Sequence, residues 1–164
     1  MPMKKLYKTA LIIMCVCTVL SLSSCKEEAS APEVTGEFEV SVLKVGQADA
    51  IVLKTQNNIA MIDCGEKDDG GDIVDFLSEN GVDKIDYLFI THFDKDHVGG
   101  FPKVAKNFEV EKLIVPDYEG SNKEYEKYLK ALDEHDIEPI FLTENMEFVL
   151  DDVSFEVYPP LKKS

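Results

Sequence analysis

The sequence predicts an α/β fold of layered sheets and helices, and three observations carry that prediction. Apolar runs of strand length alternate with segments of helical spacing, the first three strands follow one another as a meander, and 45% of the 164 residues are hydrophobic. That composition suits one domain with its own core, and the length requires no second.

The elements begin at Glu37. Phe38, Val40 and Val42 alternate with Glu37, Glu39 and Ser41, the pattern of a half-buried strand. Residues 49–55 read as a second strand, and Gln56, Asn57 and Asn58 turn the chain into a third over residues 59–62. Residues 66–72 (EKDDGGD) form an acidic turn, placed either to cap a helix over residues 73–79 or, through its glycines, to join the rim of a site. Residues 84–90 (KIDYLFI), rich in β-branched and aromatic side chains, read as a largely buried strand. A short helix follows over residues 101–106 with Pro102 in its first turn, then a buried strand over 112–115 ended by Pro116. Ser121 and Glu124 have capping-box spacing, and Tyr125, Tyr128, Leu129 and Leu132 continue a helix to His135, a surface histidine favoured by the helix dipole. Residues 139–142, 147–150 and 153–158 are three further strands, the last two joined by a tight Asp151-Asp152 turn.

The chemistry concentrates in residues 91–100, T-H-F-D-K-D-H-V-G-G, just where the fourth long apolar run ends. His92 and His97 are two of only three histidines in the chain, and Asp94 and Asp96 lie between them. Side chains two apart in extended backbone share a face, so His92 and Asp94 point together, while Asp96 and His97 fall in the following turn. Gly99 and Gly100 let the backbone bend before the next helix. The set suits two divalent ions about 3.5–4 Å apart with a shared hydroxide as nucleophile, His92 and Asp94 on one ion, Asp96 and His97 on the other. Asp96 counts as catalytic as well as ligating. Zinc is the first expectation, and aspartate at position 94 hardens its site enough for manganese to compete. The plainer alternative is a solvated acidic loop with incidental histidines. Asp63, at the end of the third strand, is placed to hydrogen-bond a ligand from behind, and Asp49 shares that role, although both are also ordinary turn residues. Lys95 either meets an anionic group or stands in solvent.

Charge narrows the partners. The net charge is −15, and without residues 1–24, which hold three lysines and no acid, it becomes −18. All 17 basic residues are lysine, so the arginine forks that nucleic-acid readers favour are lacking, which argues against a passive DNA-binding module. An enzyme acting on a phosphodiester is not excluded, because bound divalent ions offset the repulsion locally.

Residues 1–24 have a lysine-bearing start, an apolar stretch too short for a comfortable span, and small residues before Cys25, the order of a secretory signal peptide. Leu22-Ser-Ser-Cys25 resembles the lipobox of bacterial lipoproteins, which implies cleavage before a lipidated Cys25 and anchoring to the outer face of a bacterial membrane. Residues 25–36 read as a flexible tether, and 37–164 as the domain. Cys64 is then the free thiol.

The ligand run resembles the H-x-H-x-D-H signature of the metallo-β-lactamase fold hydrolases, with Asp94 at the usual second histidine. Followed by Val98-Gly99-Gly100, that variant is similar to the hydrolase domain of ComEC-type competence proteins and their stand-alone relatives. Val45-Gly-Gln-Ala-Asp-Ala50 looks like the family's V-G-Q-G-D-A and Ile62-Asp-Cys-Gly65 like its I-D-T-G, with Ala48 and Cys64 as departures. The resemblance implies an αββα sandwich and hydrolysis of a phosphodiester such as nucleic acid, with lactone, thioester or β-lactam substrates, or a catalytically inactive lipoprotein, as alternatives. It also implies further ligands downstream, an aspartate in a G-D pair and one or two histidines. No G-D pair follows Gly100 and only His135 lies beyond His97, so the expectation is the N-terminal half of the sandwich, its site completed by a second half-domain or by a homodimer.

Overall fold

A computed structural model describes residues 37–159. The expected signal peptide, Cys25 and the expected tether lie outside the described residues. Six strands, β1 (Glu39–Val42), β2 (Ile51–Lys54), β3 (Ile59–Ile62), β5 (Tyr87–Phe89), β7 (Leu113–Pro116) and β8 (Pro139–Leu142), form one sheet in the order β1-β2-β3-β5-β7-β8. The meander β1-β2-β3 is antiparallel, whereas β3, β5, β7 and β8 run parallel. Parallel neighbours need crossovers, and helices supply them: α1 (Gly70–Glu79) between β3 and β5, α2 (Lys95–Val98) and α3 (Phe101–Asn107) between β5 and β7, and α4 (Lys123–His135) between β7 and β8. The hairpin β9 (Met146–Leu150) and β10 (Val153–Val157) follows.

Strand alternation divides the core in two. Val52, Met61, Leu88, Leu113 and Val115 pack with Ile73 and Leu77 of α1, Phe101 and Val104 of α3, and Tyr128 and Ala131 of α4. Their neighbours Leu53, Ala60, Phe89 and Ile114 point the other way, onto Phe148 and Leu150 of the hairpin. The sheet is therefore buried on both faces, which is why β3, β5 and β7 read as continuous apolar runs. Each large aliphatic side chain fully buried there contributes about 1.5–3 kcal/mol. The hairpin covers only the middle of its face: Val40, Val42 and Ile140, near the two edges, remain exposed.

Three expectations need correction. The strand expected over 84–90 is interrupted at Asp86, where β4 (Lys84–Ile85) leaves to pair with β6 (Glu109–Val110) in a small parallel sheet. Asp86 accepts the Ile59 N–H at 2.8 Å, donates its own N–H to Ile59 O at 2.9 Å and pairs with Lys84 at 2.8 Å, so its polar group pins the junction. Helix α1 begins at Gly70 rather than Ile73. Gly70 lets the start of α1 approach the residue before α3 closely: a Cβ on Gly70 would sit 3.1 Å from Gly100 Cα. Finally, the residue that caps α4 is Asn122, not Ser121, its side chain accepting the Tyr125 N–H at 2.8 Å. Among the described residues no helix is long and apolar enough to cross a membrane.

Candidate metal centre

The carboxyl ends of β3, β5 and β7 lie at one edge of the sheet, and antiparallel β2 enters from that edge, so four connecting segments converge where open α/β sheets place their ligands. Backbone bonds lace them together. Asp49 N donates to Asp96 O at 3.2 Å, Gly65 N to Asp49 O at 2.9 Å, Cys64 N to His97 O at 2.7 Å and Asp63 N to Phe89 O at 2.8 Å.

Asp63 is the hub. It is 2% exposed and adopts φ 58°, a left-handed conformation that aspartate tolerates better than most residues but that persists only when its surroundings enforce it. Its Oδ1 accepts the Thr91 N–H at 2.8 Å, and its Oδ2 lies 2.6 Å from Thr91 Oγ1 and 2.8 Å from His97 Nδ1. Thr91 Oγ1 is also 3.0 Å from His92 Nδ1. A hydroxyl has one proton, and if Thr91 gives it to the carboxylate at 2.6 Å, Thr91 accepts from His92 Nδ1–H while His97 Nδ1–H donates directly to Asp63. In that proton order one carboxylate would set the tautomer of both imidazoles and leave both Nε2 lone pairs free.

Those lone pairs face acids. His92 Nε2 is 3.6 Å from Asp94 Oδ2, His97 Nε2 is 3.6 Å from Asp96 Oδ2, and the two rings lie side by side with centroids 3.7 Å apart. Each histidine of the run thus stands beside one of its aspartates, His92 beside Asp94 and His97 beside Asp96, whereas the grouping compact enough for one ion among the described residues draws only His97 from the run. Asp96 and His97 stand on the short helix α2 rather than in a turn. Asp49 reaches the cluster from before β2, its Oδ2 3.7 Å from His97 Nδ1, and Asp49, Asp63 and His97 offer ligand atoms within 4.8 Å of one another. The donor set fits a divalent ion by its chemistry, since neutral imidazole nitrogens and carboxylates are the ligands such ions take, and a histidine ligand ordinarily donates its other N–H to a carboxylate. Between Asp63 and His97 Nδ1, at 2.8 Å, there is room for a proton but not an ion, because ligands bound at about 2.0–2.1 Å in tetrahedral geometry stand more than 3 Å apart.

Cys64, next to the hub, is fully buried. Burial, and secondarily the Asp63 charge, push its thiol well above the ordinary value, so it offers no thiolate. Lys95 leans away from the acids of its own loop to meet Glu66 at 2.8 Å. His135 is exposed on the end of α4, remote in sequence from the cluster. Gly99 and Gly100 have ordinary helical φ values, −61° and −80°, so a sharp bend is not what they provide. A Cβ on Gly100 would collide with the Cys64 carbonyl, and one on Gly99 would come within 2.6 Å of Lys67 N. The glycines let the α2–α3 junction lie directly on the segment that follows β3. Thr91 was not singled out from the sequence as a site residue, and its place at the head of the histidine run was the signal available.

The geometry agrees with what comparison shows. Residues 43–160 match the metallo-beta-lactamase superfamily, and the chain belongs to that family. It is 26% identical over 147 residues to ComE operon protein 3 of Bacillus subtilis, covering 79% of this chain and 19% of that protein. It is 36% identical over 78 residues to competence protein ComA of Neisseria gonorrhoeae (46% and 11%), and 32% identical over 92 residues to ribonuclease J of Mycoplasma pneumoniae (51% and 15%). The chain thus spans less than a fifth of the length of these curated relatives. Among solved structures it is similar to a metallo-beta-lactamase from Pontibacter korlensis, with TM-score 0.49, 14% identity and coverage of 73% of this chain and 60% of that one. The subclass B3 enzyme BJP-1 of Bradyrhizobium japonicum gives TM-score 0.48, 20% identity and coverage of 72% and 48%.

Proposed function

We propose that this protein is a membrane-anchored, metal-dependent hydrolase of phosphodiesters, nucleic acid being the substrate class, tethered through a lipidated Cys25. The observation that carries the hydrolase reading is the hold of Asp63 on His97 directly and on His92 through Thr91, which turns their Nε2 atoms toward Asp96 and Asp94 at one edge of the sheet. His92, Asp94, Asp96 and His97 would hold two divalent ions, zinc or manganese, with Asp63 and Asp49 supporting from behind. Ions bound there supply Lewis acidity and a nucleophile at neutral pH by lowering the pKa of water. The chain's own residues do the rest. Asp63 orients His97 directly and His92 through Thr91, and Asp96, a third exposed, is placed to hold a proton beside His97. Release of Lys95 from Glu66 would free a cation for an anionic substrate group.

The substrate class rests on two supports. One relative is named a competence protein, another a ComE operon protein and a third a ribonuclease, and divalent ions would offset the acidic surface that otherwise repels a polyanion. Activity of the purified protein with zinc or manganese on single-stranded DNA, bis(p-nitrophenyl) phosphate and a chromogenic β-lactam tests this directly. Turnover of the phosphodiesters alone is expected once a homodimer or a second half-domain completes the site, and turnover of the β-lactam alone would replace the substrate class. Anchoring is tested separately by detergent partitioning, in which Cys25→Ala should move to the aqueous phase.

A further inference from the structure

The ligand run is held from a second side. Phe93 stands between His92 and Asp94, and both of its backbone groups are claimed by side chains from the segment joining β7 to α4. Its N–H donates to the Tyr118 hydroxyl oxygen at 3.1 Å, and its carbonyl accepts from Asn122 Nδ2. The amide orientation of Asn122 is fixed independently, because its Oδ1 accepts the Tyr125 N–H at 2.8 Å and so leaves Nδ2 to face Phe93. The Phe93 ring is 2% exposed, with Tyr125 at 4.6 Å and Tyr118 and Tyr128 at 5.2 Å between centroids. Phe93 N belongs to the peptide plane it shares with His92, and Phe93 O to the plane it shares with Asp94. Pinning both planes sets the directions in which the two flanking side chains leave the backbone.

We propose that Asn122 and Tyr118 are positioning residues of the metal site, clamping the peptide planes on which His92 and Asp94 stand; this rests on the metal reading above. Asn122 thereby joins two tasks in one side chain, capping α4 through Oδ1 and holding the ligand run through Nδ2. The tasks can be separated. Asn122→Asp keeps an equally good cap but sets a carboxylate oxygen against the Phe93 carbonyl. Tyr118→Phe keeps the ring and deletes only the hydroxyl that accepts the Phe93 N–H, without adding charge.

Zinc and cobalt affinities of the parent and both variants, from competition with a chromophoric chelator, give the primary readout, and amide hydrogen exchange of Phe93 gives a second that needs no metal. Each variant should lose on the order of 10-fold or more in metal affinity, the scale of an outer supporting contact. The Phe93 amide should exchange faster in Tyr118→Phe, while Asn122→Asp, which keeps the cap, should leave the first-turn amide of Tyr125 as protected as in the parent. Variants that bind as tightly as a metal-binding parent overturn this inference and leave the metal reading intact. A parent that takes up no metal removes the metal reading, and this inference with it.

Discussion

Replacing Asp63 by asparagine separates support from ligation at the centre of the site. Asparagine matches aspartate in shape and tolerates φ 58°, so the backbone need not move. With its oxygen on the Thr91 N–H, its NH2 group faces Thr91 Oγ1 and His97 Nδ1, where the carboxylate previously accepted two protons. His97 must then accept at Nδ1 and carry its proton on Nε2, the nitrogen needed for metal. Charged hydrogen bonds contribute about 1.5–3 kcal/mol and neutral ones about 0.5–1.5, so the exchange should cost stability on the order of 1–3 kcal/mol. Metal affinity should fall by about 10- to 100-fold, the usual consequence of losing a histidine's supporting carboxylate. Chelator competition measures the second quantity, and thermal unfolding in excess chelator the first. Affinity equal to the parent's would refute the orienting role. A loss far beyond about 100-fold would instead make Asp63 a ligand, in the compact grouping with Asp49 and His97.

Other outcomes follow from the surrounding contacts. Gly100→Ala drives a methyl into the Cys64 carbonyl, which backbone cannot turn aside to avoid, so a loss of about 1–3 kcal/mol or more is expected in denaturant titration, together with weakened metal binding. At Asp86, burial pushes the carboxyl up, but the Lys84 ammonium, the Ile59 N–H and Asn58 outweigh it and hold it below its ordinary value. A depressed folded value means the stabilisation is present at neutral pH and is lost as pH falls through that value. Asp86→Asn should therefore flatten the acid side of the stability profile below about pH 4, measured as midpoint against pH. Cys64, buried and protonated, should resist a thiol reagent in a variant carrying it as the only cysteine and react at the rate of unfolding; immediate labelling of the folded protein would contradict its placement.

Much of this was legible in the chain because the determinants were local. Strand β3 coincides with the apolar run at residues 59–62, and α4 ends at His135 as its spacing requires. The cap of α4 moved by one residue because Ser121 and Asn122 are both good caps, and the choice between them is made by Phe93, 29 residues away. The break at Asp86 depends likewise on Ile59, and the histidine tautomers on a bond between Asp63 and Thr91, 28 residues apart. Periodicity carries no information about such pairings, which exist only once β3 lies beside β5. The glycines at 99 and 100 were noticed for the wrong reason, since a dihedral requirement and a close approach of two backbones leave the same mark on a sequence.

The Asp63–Thr91 bond also bears on when the protein becomes competent to hold an ion. It spans the parallel pairing of β3 with β5, whose crossover connection contains α1. A peptide of residues 91–100 alone has the four side chains but nothing to choose between imidazole tautomers, so it should chelate poorly. Pairings of this sequence separation form slowly, because loop entropy is spent before contacts return it. Metal uptake would then lag behind collapse in a refolding experiment, and ion binding would draw its free energy from the finished sheet. An ion held at 100 times its dissociation constant would return about 2.7 kcal/mol to that sheet, so the centre would act as a latch closed by the last step of folding.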